Sequence, residues 1–322
     1  MKKYALLTFV LFGILNAVAL AQTWSVGDPV LLPGPKETFS ETSAKDPTLV
    51  QYAGKWHVFF TAAGKGEYTT GYVAASDLTK LQDAPRFELE QARGKGKYGC
   101  APQVFYFSSQ KKWYLLFQTR DSNYQPTFCT TDTIEKPESW SQPQHLLKKD
   151  SRSKWIDFWV ICDATTCYLF YTESHRQVMV RSTSVKNFPH GWGPAQKVFG
   201  GVHEAVHIYK VKDKEEYHLI YEINKNNIRS FGLAKAKKLT GPWERVTDTY
   251  ATGDQLKFVG KKAVWTEMVS HGEALRSGYD EKMEYEPEKS RWLIQGLKKN
   301  ETNVSYPKLP WKLGVISKQT IE

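Results

Sequence analysis

The stretch DPTLVQYAGKWHVFFTA, Asp46 to Ala62, decides the reading of the chain. An acid stands before a proline, an apolar run follows, Ala53-Gly54 supplies a turn, and aromatic and β-branched residues return. That is strand, turn, strand. The same order recurs in APQVFYFSSQKKWYLLFQ (Ala101–Gln118), IDFWVICDATTCYLFYT (Ile156–Thr172) and HEAVHIYKVKDKEEYHLIYEI (His203–Ile223), and more loosely in SHGEALRSGYDEKMEYEPEKSRWLIQG (Ser270–Gly296). A third strand follows in the first four units, as in TFCTTDTIEKPESW and SFGLAKAKKLTGPW, and three of these end at a tryptophan: Trp140, Trp192 and Trp243. The units open at Asp46, Ala101, Asp157, Glu204 and roughly His271, in steps of 55, 56, 47 and 67 residues. No segment keeps a 3.6-residue apolar period over three turns. A repeat near fifty residues with about four strands per unit predicts an all-β, five-bladed β-propeller. A β-sandwich has no reason to repeat one strand order along the chain. In a propeller the first strand of each blade lines the central channel, so Asp46, Asp157 and Glu204 are expected at one end of it.

Working outward, the first 21 residues read as a cleaved leader. Lys2 and Lys3 precede a short apolar run, and Ala19 and Ala21 form an A-x-A site. Residues 22–322 then make a single catalytic propeller, expected to be secreted and monomeric, with no membrane span. Setting the two leader lysines aside lowers the net charge from +10 to +8. The basic residues are scattered (Arg93–Lys97, Lys111–Lys112, Lys235–Lys238, Lys261–Lys262) and build no basic face, which argues against a nucleic-acid partner. Aromatic residues make up 14% of the chain, fitting strands and sugar-stacking surfaces alike.

Four cysteines in an oxidising compartment allow three pairings. Cys162 and Cys167 flank the turn sequence DATT, and a bridge across that hairpin is expected; Cys100 and Cys129 remain as the other pair. The motif HEAVH, His203 to His207, matches a zinc-protease pattern, but that chemistry needs a helix. On the strand read here, residues four apart lie about 13 Å from each other.

Three acids in one cleft suit glycosidic hydrolysis. One carboxyl protonates the leaving oxygen, one carboxylate activates water, and a third raises the acid's pKa by like charge. Taken alone, Asp-Pro is also a common turn starter.

The segments KDPTLVQYAGKWHVFFTAA, APQVFYF, KKWYLLFQ, WIDFWVICDATTCYLFY, HEAVHIYKV, SHGEALRSGYD and YPKLPWKLGVIS, in this order from Lys45 to Ser317, resemble glycoside hydrolase family 62, the α-L-arabinofuranosidases that trim arabinoxylan. The resemblance implies inversion, with Asp46 as general base, Glu204 as general acid and Asp157 orienting and tuning that acid. It implies that His271 faces a channel metal ion, usually calcium. It also implies that Lys45, Arg276 and Tyr279 line the arabinose pocket and that Tyr306 stacks a xylose ring. Two departures concern the backbone groove: Thr119 and Arg120 stand where some members carry a tryptophan, and Pro307 stands where asparagine is frequent. Asp163 reads as structural. An inverting pair is expected about 6.5–9.5 Å apart, with the pKa of Glu204 raised. A family 43-like activity on arabinan or xylo-oligosaccharides, and a non-catalytic sugar-binding propeller, are the competing readings.

Overall fold

The computed structural model describes residues 22–64, 68–93, 98–260 and 263–319. The segment 1–21, read above as a leader, lies outside them. Five sheets form a ring, and the inner strand of each touches the inner strands of both neighbours. The inner strands are Ser43–Tyr52, Cys100–Phe107, Trp155–Cys162, Glu204–Val211 and Ser270–Ala274, one per blade. All five belong to the predicted repeats. They are apolar on both faces because each is wedged between neighbouring blades; every residue of Trp155–Cys162 is buried. Among the described residues there is no α-helix, only short 3-10 turns.

Blades one to four run outward in chain order. The fifth is built from both ends of the described chain. From the channel outward it contains Ser270–Ala274, Arg291–Gly296 and Lys312–Lys318, then Trp24–Leu31, then Leu256–Phe258. Trp24–Leu31 runs antiparallel to Lys312–Lys318, with Trp24 opposite Lys318. This closes the ring and leaves no open gap between first and last blade.

The blades are riveted by aromatic side chains. Trp140, at the exit of blade two, packs edge-on against Phe59 of blade one at 5.6 Å. Trp243, at the exit of blade four, meets Phe170 of blade three at 6.4 Å in the same T-shape. Phe59 faces Thr48 and Phe170 faces Trp159, which are equivalent places in the repeat. Two of the three recurring tryptophans are therefore blade-to-blade contacts; the third, Trp192, packs edge-on against Phe188 of its own exit loop.

Each inner strand also carries a β-bulge near its channel-mouth end. The register slips by one residue between Lys45 and Thr48, Cys100 and Gln103, Ile156 and Trp159, Glu204 and His207, and Ser270 and Gly272. In four blades the bulged residue is left-handed: Asp46 (φ 47°), Ala101 (48°), Asp157 (55°) and Ala205 (54°). A bulge turns side chains out of the sheet's alternation, here toward the channel axis. It also frees a backbone N–H, and the preceding blade takes it up. Ala101 donates to Thr61, Asp46 to Gln295, His271 to Glu222 and Ala205 to Asp157. These bonds form a belt around the mouth.

One bridge is present, Cys162–Cys167. The pair left over by subtraction is not joined: Cys100 and Cys129 are free and buried. Cys100 lies opposite Gln118 and Cys129 opposite Leu115, on either side of the same strand. Two inter-strand spacings alone separate them by nearly 10 Å, beyond the roughly 7 Å that a disulfide spans. Asp163 does cap the hairpin, accepting N–H bonds from Thr165 and Thr166.

Candidate active site

The bulges deliver their side chains to one cavity of about 310 Å³ at the channel mouth. Blade one contributes Lys45 and Asp46, blade three Asp157, blade four Glu204 and blade five His271. Glu204 does not occupy the place in the repeat that the sequence assigned to it. The bulge residue of blade four is Ala205, so Glu204 stands one position earlier, equivalent to Lys45. Asp46, Asp157 and His271 form the equivalent set. The His271 Nδ1 lies 3.5 Å from Asp46 Oδ1 and 4.0 Å from Asp157 Oδ1.

The three acids sit in different fields. Burial pushes the Asp46 carboxyl up, but the Lys45 ammonium, 3.1 Å away, and the His271 ring outweigh it, so its pKa lies below the ordinary value. Asp157 has no such cation. Burial raises it to about 6; Glu204 and Asp46 add like charge, while His271 and the Ala205 N–H pull it back. For Glu204, burial is overcome by a hydrogen bond from His175 and by the charge of Arg229, and it falls well below the usual carboxylate range. The sequence led to the opposite expectation, a raised Glu204. The cause lies in residues that carried no motif: Arg229 Nη1 is 2.5 Å from Glu204 Oε1 and His175 Nδ1 is 3.3 Å from Oε2.

The same guanidinium serves a second acid. Arg229 Nη1 is 2.6 Å from Oε1 of Glu222, which is fully buried directly across the strand pair from Glu204. Burial pushes Glu222 up to about 7 despite Arg229, with Glu204 adding like charge. One cation thus faces two carboxylates, and their titrations are linked.

The wall includes His203, the first histidine of HEAVH, and further residues that the sequence did not single out: Tyr68, Tyr98, Gln118, Lys154, His175 and Asn224. Gln118 occupies the repeat position held elsewhere by Thr61, Glu222 and Gln295, which serve the belt. Its side-chain carbonyl oxygen is buried without a protein hydrogen-bond partner. Tyr306 stands at the rim with its hydroxyl 3.4 Å from Lys45 Nζ. Arg120 covers the ring of Tyr98 at 4.9 Å, and Thr119 is turned inward onto Gln125.

Two expected pocket residues lie elsewhere. Arg276 is deep in the channel, donating to the carbonyls of Leu49 and Val104 and paired with Glu273. Tyr279 lies at the far end against Tyr52, Tyr106 and Trp113. The strand Ser270–Ala274 carries the chain away from the mouth at about 3.3 Å per residue, and the loop after it leaves Tyr279 at the far end. His207, the second histidine of HEAVH, is likewise buried in the wall, stacked on Trp159 at 4.2 Å.

Calcium takes roughly six to eight oxygen ligands. His271 would offer one nitrogen, and the carboxylate oxygens that could join it are those of Asp46 and Asp157, 3.5 and 4.0 Å from its Nδ1.

The model of glycosyl hydrolase family 62 matches residues 24–317. A curated relative, the α-L-arabinofuranosidase C of Cellvibrio japonicus, is 33% identical over 287 residues, 85% of this chain; the chain spans 44% of that protein's length. The catalytic domain of the Coprinopsis cinerea family 62 α-L-arabinofuranosidase superposes with a TM-score of 0.85 at 30% identity, covering 92% of this chain and 97% of that one. The Podospora anserina α-L-arabinofuranosidase, solved in complex with cellotriose, gives 0.84 at 29% identity, covering 93% and 97%. With residues 24–317 matched by the family's model and the fold shared with its solved members, this chain belongs to glycosyl hydrolase family 62.

Proposed function

We propose that the protein is a secreted, monomeric, inverting α-L-arabinofuranosidase that removes arabinose side chains from arabinoxylan. The observation that carries this reading is the convergence of Asp46, Asp157 and Glu204 on one cavity of about 310 Å³, each in a different field. The cavity is enclosed by five blades and suits a terminal sugar rather than a chain passing through. Asp46, ionised beside Lys45, is the base that takes a proton from the attacking water. Glu204 protonates the glycosidic oxygen. Lys45 and Gln118 hold sugar hydroxyls, and Tyr306 at the rim stacks the xylose to which the arabinose is attached. The relatives named as α-L-arabinofuranosidases support the substrate class, and the leader-like residues 1–21 support secretion.

Glu204 must gain a proton before it donates one. In the free cavity Arg229 and His175 favour ionised Glu204, while burial raises Asp157 and Glu222 on either side of it. A sugar that draws Arg229 toward its own hydroxyls, or leaves it to Glu222, removes the interaction that keeps Glu204 ionised. The raised Asp157 favours a second division of roles, in which Asp157 is itself the donor. The pair is separated by a substrate with an activated leaving group, such as nitrophenyl arabinofuranoside, which needs no proton. The variant lacking the donor keeps cleaving that substrate and loses arabinoxylan.

A calcium ion at His271 would add positive charge beside Asp46 and Asp157; unchanged activity and melting temperature after exhaustive chelation would remove it from the proposal. The activity is tested by release of arabinose from wheat arabinoxylan but not from debranched arabinan. Proton NMR of the first-formed sugar reads the stereochemistry: a β-anomer is expected, and an α-anomer overturns inversion.

A further inference from the structure

We propose that His175, His203 and Glu204 form a site for a divalent transition cation such as Zn²⁺, whose occupancy blocks the reaction by engaging Glu204. The binding stands on its own geometry; the blocking rests on the role assigned to Glu204 above. The ligand atoms of the three residues all lie within 4.8 Å of one another. The His175 Nδ1 and His203 Nε2 are 3.3 and 3.8 Å from the same oxygen, Glu204 Oε2. A tetrahedral ion with bonds of about 2.0–2.1 Å holds its ligands roughly 3.3 Å apart, so closing around one requires only small side-chain shifts.

The site is assembled from two blades. His175 lies in the hairpin between Thr166–Glu173 and Gln177–Ser184, at a left-handed position (φ 53°). His203 immediately precedes the inner strand of blade four. The two imidazoles stack at 5.0 Å. Two imidazoles and one carboxylate suit zinc, copper or nickel rather than calcium or magnesium, and three protein ligands leave a position open to water. The pairing also explains what the HEAVH motif left open: His203 and Glu204 do stand together, but the second histidine comes from blade three.

Two cations border the site. Arg229 occupies Oε1 of Glu204 and leaves Oε2 to the ion. Lys154 Nζ is 3.0 Å from His175 Nε2, and because an ammonium only donates, it keeps the ring proton on Nδ1. An ion at Nδ1 must therefore displace that proton, and Lys154 opposes it.

The test is calorimetric titration of ZnCl₂ into the full chain after chelation and desalting. One Zn²⁺ per chain is expected, and arabinoxylan hydrolysis should fall in step with occupancy. His175→Ala and His203→Ala should each weaken binding about tenfold or more, and Lys154→Met should tighten it. His175→Asn and His203→Gln serve if the alanine variants do not fold. No binding to the wild type, or unchanged affinity in both histidine variants, overturns the proposal. Because calorimetry needs no turnover, a protein inactive on arabinoxylan that still binds one Zn²⁺ through these residues would refute the enzymatic reading and leave this one standing.

Discussion

Two arginines, one at each level of the channel, show how position decides what a buried charge does. Arg276 has its guanidinium committed to two backbone carbonyls, at 2.9 and 2.8 Å, and to Glu273 at 2.7 Å. Arg229, at the mouth, divides one guanidinium nitrogen between Glu204 and Glu222. Both are nearly buried. The lower cation neutralises one acid in a closed arrangement. The upper one faces two acids at once, so one carboxyl is held low while burial raises the other. The lesson is that composition alone does not mark a reactive site; an incomplete set of partners does.

The sharpest way to break this contrast is to exchange its two signatures, activity and stability. Asp46→Ala and Glu204→Gln should each lower arabinoxylan turnover at least ~10²–10⁴-fold, because each removes a proton-transfer partner; Glu204→Gln, whose Arg229 keeps Glu222, should melt near the wild type, whereas Asp46→Ala also strands the buried Lys45 ammonium and should melt lower. Arg276→Met should do the reverse. It strands the Glu273 carboxyl, at a cost on the order of 3–5 kcal/mol, while the fraction that remains folded turns over normally. Calorimetric melting alongside kinetics decides it, and loss of turnover in well-folded Arg276→Met would place that residue back in the pocket.

A smaller effect concerns pH. Asp157 is held at about 6 against an ordinary 3.8. The folded state thus binds this proton more tightly than the unfolded chain. The resulting stability is fully present below about pH 4, is lost as pH rises toward 6, and stays lost above it. The shift corresponds to roughly 3 kcal/mol. Asp157→Asn should flatten this part of the profile of melting temperature against pH; an unchanged slope would mean that Asp157 is not the group being titrated.

The smallest effects separate two tyrosines. Tyr306→Ala should raise KM for arabinoxylan several-fold, since a lost stacking ring is worth about 1 kcal/mol. Tyr279→Ala should leave KM alone and lower stability by a similar amount. Equal KM changes in both would erase the distinction between mouth and floor.

The inner strands were legible because a strand buried on both faces must be apolar throughout, and five such runs with turn residues between them leave few architectures. Asp46 and Asp157 were legible because each opens its repeat unit just ahead of an apolar strand run. Glu204 was read one position off, since a bulge inserts a residue without leaving a sequence mark. Arg229, Glu222 and His175 were not legible at all. They meet Glu204 through cross-strand pairing and a neighbouring blade, and no local spacing encodes that. The displacement of Arg276 and Tyr279 was readable in principle from strand rise, but motif adjacency was mistaken for spatial adjacency. The final blade's composition was hidden because Trp24 and Lys318 are nearly the full described length apart.

That last pairing sets an order of events. The fifth blade lacks its partner for Trp24–Leu31 until Lys312–Lys318 has been synthesised. Earlier blades have the local hairpins they need, but the ring stays open while any of the C-terminal strand is missing. Contacts this distant in sequence form slowly. A chain emerging from a ribosome or a membrane pore therefore remains an unclosed arc, with the mouth-end belt incomplete where Asp46 meets Gln295. The base of the proposed reaction is fixed in place only when the molecule is finished, so an immature chain carries its acids without a cavity to use them in.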